Sequence, residues 1–568
     1  MSFFLRINMT EKKTSYVCAP KEYIALGGRG ITSKLIHEEV PPDCEPLGLY
    51  NKIIIAPGLF SGSKVPCSCR LSIGAKSPLT GGIKESNAGG TAAQRLGRLG
   101  IKAIIIEGKT KNKEMYVLRV GSSKAELIRE PDILGKDNYE ACEIILKKYG
   151  KDVSVIIAGP AAEMGYPNST IALTDAEGIP ARQCARGGLG NVMVSRGLKA
   201  IIIEGDGKSI EPIDKNSFKM INFDWTKELI KTKKALTDYG TAVLVNLINN
   251  LGGLATRNYT SGSFENADKI CGESLATLIK KRGGHPTHGC HKGCPIRCSN
   301  IYVDETGKNI TSSLEFETIA LMGSNLGISD LDVIAQIDRF CDDFGMDTIE
   351  LGGTLGVAME AGIINFGNAS NVFNLLAQIR HGTILGRLLG QGTEISGKTF
   401  GVERIPTVKG QCIAAYDPRA LKGTGVTYAT SPMGGDHTAG NCLPGRVGYR
   451  EETQDKLGNI GDMYQVEISE DLQVMTTVFD VMGLCILIGP SDETMHKIGK
   501  LISAFIGVNH TKEDVINLGK EILNLEFDFN QKAGIINNNL PEFFYTEPLP
   551  PTGSSFSIDT KNLKLFRS

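Results

Sequence analysis

Three cysteines, Cys290, Cys294 and Cys298, lie within nine residues of the sequence. A fourth, Cys485, lies far downstream and ends the segment Asp-Val-Met-Gly-Leu-Cys. A cubane iron–sulfur cluster needs four thiolates, and one loop plus a remote element can supply them. The spacing therefore indicates a fold that brings two distant parts of the chain together around one cluster, which points to redox chemistry.

Zinc binding and a radical-type cluster loop both fit the cysteine group less well. A structural zinc site usually shows two Cys-x2–4-Cys pairs, whereas this chain has a single compact group. The radical type of cluster loop has the spacing Cys-x3-Cys-x2-Cys, and here the last gap is three residues. Pro295 follows Cys294 directly and would stiffen a loop around a cluster. The pattern favours an iron–sulfur cluster over zinc, with unliganded core cysteines as the third alternative.

Two segments share the form Asp-x-x-Gly-x-(Asp/Cys): residues 342–347, here called the first Asp segment, and residues 480–485, the second Asp segment. The glycine three residues after Asp342 and Asp480 is expected to end a helix. Each acid then lies in a last helical turn, where it opposes the helix dipole by about 0.3–1 kcal/mol. A carboxylate there can accept two parallel hydrogen bonds from the edge of a pterin ring. Solvated helix-end acids are the alternative, but a matched pair predicts a two-fold related group bound beside the cluster.

Four short apolar segments of similar sequence occur in the first part of the chain. Each has a glycine at or near its end, as buried strands often do. They alternate between Ala-Pro-Gly or Ala-Gly-Pro endings and Glu-Gly endings, which indicates two halves of about a hundred residues each. The segments are residues 52–58, 102–108, 153–160 and 199–205. A duplicated, sheet-based N-terminal domain is therefore predicted.

Helical periodicity dominates after about residue 209. Residues 331–344 place apolar side chains on one helical face, and an apolar stripe over residues 472–482 ends at Gly483. The predicted fold class is α+β, with the duplicated sheet domain, predicted over residues 1–207, followed by a mostly helical region.

Composition limits the partners of the chain. Its 62 basic and 63 acidic residues give a formal charge of −1 without a basic block, so nucleic-acid binding is not expected. No apolar run reaches the roughly eighteen residues of a membrane span. Fourteen cysteines without a signal peptide fit a reducing cytoplasm. We expect a cytoplasmic protein with no membrane span.

Further motifs occur in order along the chain, at residues 86–90 (Ser-Asn-Ala-Gly-Gly), 186–190 (Arg-Gly-Gly-Leu-Gly), 315–318 (Glu-Phe-Glu-Thr) and 416–419 (Tyr-Asp-Pro-Arg). With the cysteine group and both Asp segments they resemble the tungsten-containing aldehyde:ferredoxin oxidoreductases, from the N-terminus to about residue 540. The resemblance implies a tungsten bis-pyranopterin, with molybdenum as the alternative metal, one 4Fe–4S cluster, and a Mg²⁺ that bridges the two pterin phosphates.

The resemblance also implies how the chain is divided around the cofactor. Residues 1–207 would be a β-rich cofactor base, and two mostly helical domains would enclose the cofactor with it. These are residues 208–406, with the cysteine loop and the first Asp segment, and residues 407–568, with the second Asp segment and the fourth cysteine.

The resemblance also implies a set of cofactor-binding residues. The cysteines look like the cluster ligands, and the two Asp segments look like the anchors of the two pterins. Oxygen donors suit Mg²⁺, and guanidinium groups suit anionic partners. The implied residues are Cys290, Cys294, Cys298 and Cys485 for the cluster; Asp342, Met346, Asp480 and Leu484 for the pterins; Asn87 and the Gly187 carbonyl for Mg²⁺; Arg70 between cluster and pterin; and Arg186 on the phosphate side.

Two residues are implied in catalysis by the same resemblance. Glu317 matches the family's carboxylate that faces the metal, and His437 matches its histidine. A glutamate can take a proton from water, and a histidine can polarise a carbonyl. Taken alone, Glu317 would be a helix-start acid favoured by the dipole, and His437 a hydrogen-bonded loop histidine.

The resemblance implies an oxidoreductase that interconverts aldehydes and carboxylic acids. Electrons would pass through the cluster to ferredoxin or to a small iron–sulfur subunit. One alternative is the catalytic subunit of a tungsten-dependent benzoyl-CoA reductase, and another is a zinc-stapled binding protein without catalysis. An oligomer is expected, although Gln336 and Arg339 replace the Glu and His that bind a metal at the dimer axis of archaeal members. Ala439 replaces a lysine that contacts the second pterin in some members.

Overall fold

The computed structural model describes residues 2–121, 124–205, 207–454, 461–561 and 563. Its N-terminal part consists of two six-stranded mixed sheets. The first sheet contains β1 (Phe3–Asn8), β2 (Lys13–Cys18), β3 (Ile53–Pro57), β4 (Leu71–Lys76), β5 (Ile83–Ala88) and β6 (Ile101–Glu107). The second contains β7 (Tyr116–Val120), β8 (Ala125–Ile128), β9 (Val153–Ala158), β10 (Ile171–Leu173), β11 (Arg182–Cys184) and β12 (Leu198–Glu204). The four predicted strands correspond to β3, β6, β9 and β12.

The two sheets have the same topology. The strand order is β2-β1-β6-β3-β4-β5 in the first sheet and β8-β7-β12-β9-β10-β11 in the second. In each sheet only the pair formed by the first and last strands in sequence is parallel, β1 with β6 and β7 with β12. The strands from β1 to β6 are therefore one repeat and those from β7 to β12 a second repeat of the same unit. The predicted duplication is confirmed.

The helices of this part are α1 (Gly28–Glu39), α2 (Ala92–Arg98), α3 (Asn138–Tyr149), α4 (Pro160–Glu163) and α5 (Leu189–Ser195). Ile106 and Ile203 lie in the core shared by the two sheets. Their neighbours Ile105 and Ile202 point to the opposite faces, where α1 covers the first sheet and α3 covers the second. Strands β6 and β12 are thus buried on both faces, which explains why they are continuous runs of apolar residues rather than alternating patterns.

The rest of the chain is mostly helical. Its helices up to residue 400 are α6 (Lys215–Thr232), α7 (Lys234–Tyr239), α8 (Leu244–Asn250), α9 (Ala267–Ile270), α10 (Gly272–Lys281), α11 (Phe316–Met322), α12 (Leu331–Phe344), α13 (Thr348–Glu360), α14 (Ala369–His381), α15 (Ile384–Leu389) and α16 (Thr393–Phe400). The later helices are α17 (Lys422–Thr430), α18 (Asp462–Met482), α19 (Asp492–Ile506), α20 (Lys512–Lys532) and α21 (Phe543–Thr546). Small sheets are formed by β13 (His285–His288), β14 (Ser299–Val303) and β15 (Asn309–Ser312), and by β16 (Thr407–Val408) and β17 (Gln411–Cys412).

Two large cores hold these helices together, and each mixes distant parts of the chain. Side chains of α11 to α15 pack with Tyr428 of α17 and Phe544 of α21. Trp225 of α6 instead packs with α18, α19 and α20. The α+β class with a sheet domain followed by helices is confirmed, whereas the boundaries at residues 207 and 406 stay predictions. Among the described residues, no helix is both long and apolar enough to cross a membrane.

Both predicted helix ends are present. Helix α12 begins after Asp330, whose carboxylate accepts hydrogen bonds from the main chain of the first turn, and it ends at Gly345, which has a φ of 81°. Helix α18 ends at Gly483, with a φ of 75°. These left-handed conformations are accessible to glycine without strain. Asp342 and Asp480 therefore lie in last helical turns, as the sequence predicts.

Close contacts at glycines hold these two helix ends at equivalent places in the two repeats. Gly58 follows β3, and a Cβ at this position would lie 2.1 Å from the Cα of Gly483. Gly159 follows β9, the equivalent strand, and a Cβ there would lie 2.4 Å from the carbonyl oxygen of Phe344. A methyl group at either glycine would collide with main-chain atoms, so both contacts depend on glycine.

Main-chain hydrogen bonds repeat the same arrangement. The Arg70 N–H donates to the Gly483 carbonyl at 3.0 Å, directly before β4. The Thr170 N–H donates to the Gly345 carbonyl at 2.9 Å, directly before β10, the equivalent strand. Matching backbone contacts thus place the two Asp segments at equivalent positions of the two repeats.

We expect Gly58→Ala and Gly159→Ala to destabilise the packing of helices on sheets by about 1–3 kcal/mol each, because overpacking of a tight contact costs this much. Chemical denaturation of the purified variants measures the effect. Gly121→Ala is the control, since the nearest atom to a Cβ there is 3.5 Å away. Equal stability of Gly58→Ala, Gly159→Ala and the control would show that the glycine contacts do not determine the docking.

Candidate active site

Two cavities lie where the sheet edges meet the helix ends. One has a volume of about 250 Å³, and the other of about 200 Å³. They adjoin, because Arg70, Gln183, Glu315 and Thr348 line both. The first contains Arg70, Asn87, Arg186, Glu317, His437, Asp480 and Leu484, and the second contains Arg70, Cys290, Cys298, Asp342, Met346 and Cys485. Of the predicted site residues only Cys294 and Gly187 line neither cavity, and each lies next in sequence or space to residues that do.

The four predicted cluster ligands are brought together. Burial, followed by the charges of Cys485, Glu315, Cys290 and Cys294, raises the pKa of Cys298 well above that of a free thiol. These thiols therefore share one site, although the loop between β13 and β14 supplies three of them and the segment after α18 supplies the fourth. None of the chain's cysteines forms a disulfide within the described residues.

Two further cysteines, Cys67 and Cys69, belong to the same thiol group, and sequence reasoning missed them. The Cys69 and Cys290 sulfurs lie 4.0 Å apart. A hydrogen bond with Cys67 lowers the pKa of Cys294 to about 4. The Cys485 N–H also donates to the Cys67 carbonyl at 3.0 Å. The Cys-x-Cys motif directly before Arg70 is the sequence feature that could have indicated Cys67 and Cys69.

Asp480 is held in a network of buried polar groups. Its carboxylate accepts hydrogen bonds from Asn87 Nδ2 at 3.0 Å and from Arg29 Nη1 at 3.2 Å. Arg29 also binds Glu526 through two hydrogen bonds of 2.8 and 2.7 Å. Burial, partly offset by Arg29, leaves the pKa of Asp480 raised to about 6. The nearby Glu85 has its pKa raised to about 8 by burial and by Asp480. Arg29, Glu85 and Glu526 were not predicted, because no local motif marks them.

Asp342 is the less satisfied of the two acids. One carboxylate oxygen accepts from Gln183 Nε2 at 3.0 Å. Burial and then the neighbouring Asp338 raise the pKa of Asp342 well above its ordinary value. A buried acid with a raised pKa keeps unused capacity to accept hydrogen bonds when ionised. Both Asp segments therefore place such an acid at a cavity wall.

Each Asp segment is contacted by an arginine of the N-terminal part of the chain. Arg70 Nη2 lies 3.7 Å from the Cys485 sulfur, within hydrogen-bond range for sulfur. Arg186 Nε donates to the Asp347 carboxylate at 3.3 Å and Nη1 donates to the Gly435 carbonyl at 2.6 Å. Cys485 and Asp347 are the last residues of the two Asp segments. One arginine therefore faces a thiol and the other a carboxylate.

Asn87 and Gly187 lie near the edge where β5 and β11 approach each other. The Asn87 amide nitrogen donates to Asp480 and, at 3.2 Å, to Glu85, which leaves its side-chain oxygen as the remaining acceptor. The Gly187 carbonyl accepts from Ser77 Oγ at 2.7 Å and has a second lone pair. Both oxygens remain usable by a hard cation.

Glu317 and His437 form a close pair at the wall of the larger site cavity. Glu317 lies in the first turn of α11, and its Oε2 accepts from the Ala415 N–H at 2.8 Å. Its Oε1 lies 3.4 Å from His437 Nε2. Among the described residues, Glu317 Oε1 and His437 Nδ1 are buried without a hydrogen-bond partner. Burial, ahead of the opposing effect of His437, raises the pKa of Glu317.

Aromatic rings support this pair from one side. The Tyr416 ring lies 5.7 Å from the His437 ring and stacks on Phe316 at 4.9 Å, between centroids. Asp436 accepts from the Thr438 N–H at 3.0 Å and so fixes the short helical turn that begins with His437. Glu317 does lie at a helix start, but it also lines a cavity and faces the half-buried His437 there.

The residues present fit a large anionic redox cofactor with an adjacent cluster. Six thiols form one group, two acids with raised pKa values line the two adjoining cavities, one in each, and cations line the walls. The buried atoms of Glu317 and His437 that have no hydrogen-bond partner among the described residues leave hydrogen-bonding capacity at the cavity wall, which a bound group can use.

Comparison with known proteins relates the whole chain to one family. Residues 4–205 match "Aldehyde ferredoxin oxidoreductase, N-terminal domain", and residues 221–565 match "Aldehyde ferredoxin oxidoreductase, domains 2 & 3". The tungsten-containing aldehyde ferredoxin oxidoreductase of Pyrococcus horikoshii is 32% identical over 96% of this chain and 91% of its own length. That of Thermococcus kodakarensis is 32% identical over 96% and 92%.

The chain is also similar to more distant proteins. The aliphatic sulfonate oxidoreductase WOR-like subunit of Pyrococcus furiosus is 26% identical over 96% of this chain and 89% of its own length. A solved structure, the active site complex BamBC of benzoyl coenzyme A reductase with 1,5-dienoyl-CoA, superposes with a TM-score of 0.80 at 19% identity, over 97% of this chain and 92% of that chain. At that identity the likeness concerns the fold alone.

Proposed function

Because the chain belongs to the aldehyde ferredoxin oxidoreductase family, we propose that it interconverts aldehydes and carboxylic acids at the cavity lined by Glu317 and His437. The observation that supports this most is the 3.4 Å approach of the Glu317 carboxylate to His437, both with unpartnered buried atoms, in a cavity that adjoins the cysteine group. Electrons would leave through a 4Fe–4S cluster to ferredoxin or to a small iron–sulfur subunit.

A tungsten bis-pyranopterin, when bound, would supply the centre that accepts two electrons from the aldehyde. Asp342 and Asp480 would hold one pterin edge each, Asn87 and the Gly187 carbonyl would bind a bridging Mg²⁺, and Arg186 would lie on the phosphate side. Met346 and Leu484 follow the helix-ending glycines and would contact the same rings. Cys290, Cys294, Cys298 and Cys485 would bind the cluster, with Arg70 between cluster and pterin.

Glu317 and His437 would share the proton chemistry. Conversion of an aldehyde and water into a carboxylic acid releases two electrons and two protons. His437, next to Glu317, can donate a hydrogen bond to the aldehyde oxygen and make the carbonyl carbon more electrophilic. The Glu317 carboxylate, whose pKa burial raises, can accept a proton from the attacking water. Tyr416 and Phe316 would keep this side of the cavity apolar.

Anoxic assays of the purified protein test the proposal. We expect tungsten and about four irons per chain, and oxidation of short or aromatic aldehydes coupled to reduction of benzyl viologen. Benzoyl-CoA, offered with a strong reductant, is the competing substrate. Reduction of benzoyl-CoA without aldehyde oxidation would overturn the proposal in favour of the ring-reductase alternative, and zinc alone would favour the non-catalytic one. Molybdenum in place of tungsten would change the metal but not the reaction.

Asp342→Asn and Asp480→Asn should each weaken retention of the pterin. Each change replaces an acceptor oxygen by a donor, and a lost buried partner costs about 1–3 kcal/mol. Tungsten and pterin content after gel filtration measures retention. Asp238→Asn is a matched control, because Asp238 lies in the last turn of α7, two residues before Gly240, and is partly exposed. Full pterin content in both site variants would show that the Asp segments are only helix ends.

A further inference from the structure

A surface cavity of about 340 Å³ lies against the cysteine group. Residues 65 and 66, which directly precede Cys67, form part of its lining. Residues 291–293, which connect Cys290 to Cys294, form another part. The cavity therefore borders both chain segments that bring thiols to the group, and it is distinct from the two site cavities.

His291 joins the cavity to the predicted cluster ligands. It follows Cys290 directly in the chain, and its ring nitrogen, the Cys290 sulfur and the Cys69 sulfur all lie within 4.8 Å of one another. Its Nε2 is buried without a hydrogen-bond partner in the described part of the protein. The chain therefore connects Cys290, a predicted cluster ligand, directly to His291, a residue that lines the cavity.

Cations dominate the cavity wall. Lys64, Lys151 and Lys292 line it and are exposed, and none of them forms an ion pair with any described residue. The two acids of the wall are already matched. Asp152 pairs with Arg95 at 2.7 Å, and Asp175 lies beside His288 and Arg182 at 3.5 and 3.7 Å. The whole chain has a net charge of only −1. The excess of positive charge from these lysines is therefore a property of the cavity wall and not of the chain as a whole.

We propose that this basic cavity is the docking surface for a small acidic iron–sulfur electron carrier, and that electrons leave the cluster towards it past His291. The inference rests on the proposed function and adds the exit side and the partner's charge. In each encounter the reduced cluster loses one electron and the oxidised carrier gains it, with no bond or proton changed. Opposite charges speed such encounters, by 10–10³-fold in clefts lined by one sign of charge.

Stopped-flow mixing of a chemically reduced, acidic two-cluster bacterial ferredoxin with the oxidised holoenzyme tests the surface. The double variant Lys64→Glu/Lys151→Glu should accept electrons at least about ten-fold more slowly at low ionic strength. For the wild type the rate should fall as salt is added, because exposed charges are screened beyond about 10 Å at 0.1 M salt. In the double variant this salt dependence should disappear or reverse.

Controls separate docking from damage to the cluster. Lys21→Glu removes an exposed lysine that does not line the cavity and should leave the rate unchanged. Reduced benzyl viologen, which needs no protein docking surface, should reduce the double variant no more slowly than the wild type. Lys292→Glu should slow ferredoxin as well while keeping full iron content.

The result that overturns the inference is a ferredoxin rate for the double variant within about two-fold of the wild type, or a wild-type rate that does not depend on salt. The measurement needs no aldehyde. Failure of the wild type to oxidise aldehydes with benzyl viologen would therefore reject the proposed function, while the comparison of ferredoxin rates would still decide the docking surface.

Discussion

The Glu317→Gln holoenzyme is expected to oxidise aldehydes about 10²–10⁴-fold more slowly than the wild type, the usual contribution of general acid–base catalysis. Glutamine keeps the size of the side chain and can still accept the hydrogen bond from the Ala415 N–H. It removes only the proton acceptor. The loss should appear in kcat and kcat/KM alike, since proton transfer is realised in the transition state.

The pH dependence should identify the same group. Burial raises the pKa of Glu317, and a base works only when deprotonated. Wild-type kcat/KM should therefore fall as the pH is lowered through an apparent pKa above the ordinary glutamate value of about 4.3. The Glu317→Gln variant should lack this acid limb. His437→Ala should also lower the rate, because the aldehyde oxygen loses its donor.

Metal analysis and a control variant test the assignment of Glu317 as the catalytic base. Tungsten and iron contents must match the wild type, so that the loss is one of chemistry and not of assembly. Glu394→Gln is the matched control, because Glu394 also lies in the first turn of a helix, α16, but outside both site cavities. Wild-type turnover by a metal-replete Glu317→Gln enzyme would show that Glu317 is a helix-start acid only.

Cys294→Ala is expected to abolish the cluster and with it nearly all electron transfer to ferredoxin. A cluster with three of its four thiolates lacks one iron ligand, and a hydrogen bond with Cys67 lowers the pKa of the Cys294 thiol, which favours the thiolate that an iron ligand needs. Iron content and the electron paramagnetic resonance signal of the reduced protein measure the loss. Circular dichroism should show that the domains remain folded.

Cys142→Ala provides the comparison for this variant. Cys142 is buried between α3 and the second sheet, away from the thiol group, so its replacement should leave the iron content intact. An unchanged cluster signal in Cys294→Ala would contradict the ligand assignment. Because Cys67 and Cys69 lie beside the group, it would indicate that one of them had taken the place of Cys294.

The sequence was most informative where the signal is local. The helix predicted over residues 331–344 is observed as α12, since an apolar stripe, an Asp at its start and a glycine at its end all lie within one short segment. The four isoleucine-rich strands were found for the same reason. Their pairing into two identical topologies was only suggested, because it depends on contacts between strands far apart in the chain.

Parts of the candidate site that depend on tertiary contacts could not be predicted. Arg29 and Glu526 are 497 residues apart in the sequence and form a buried ion pair behind Asp480. Neither lies in a recognisable motif, and an arginine or glutamate on a helix is usually solvent-exposed. Gln183 likewise meets Asp342 only because β11 lies at a sheet edge beside the end of α12.

The matched docking of the two Asp segments has a consequence for the surroundings of a bound cofactor. Equivalent backbone contacts hold both helix ends, so two like halves of a cofactor would be held equivalently. The equivalence ends at the last position of the segments, where the Cys485 thiol contacts Arg70 and the Asp347 carboxylate contacts Arg186. The second Asp segment thus contributes a thiol of its own to the cysteine group, and the first contributes none. A symmetric cofactor would therefore have asymmetric surroundings, set by one residue difference between the two segments.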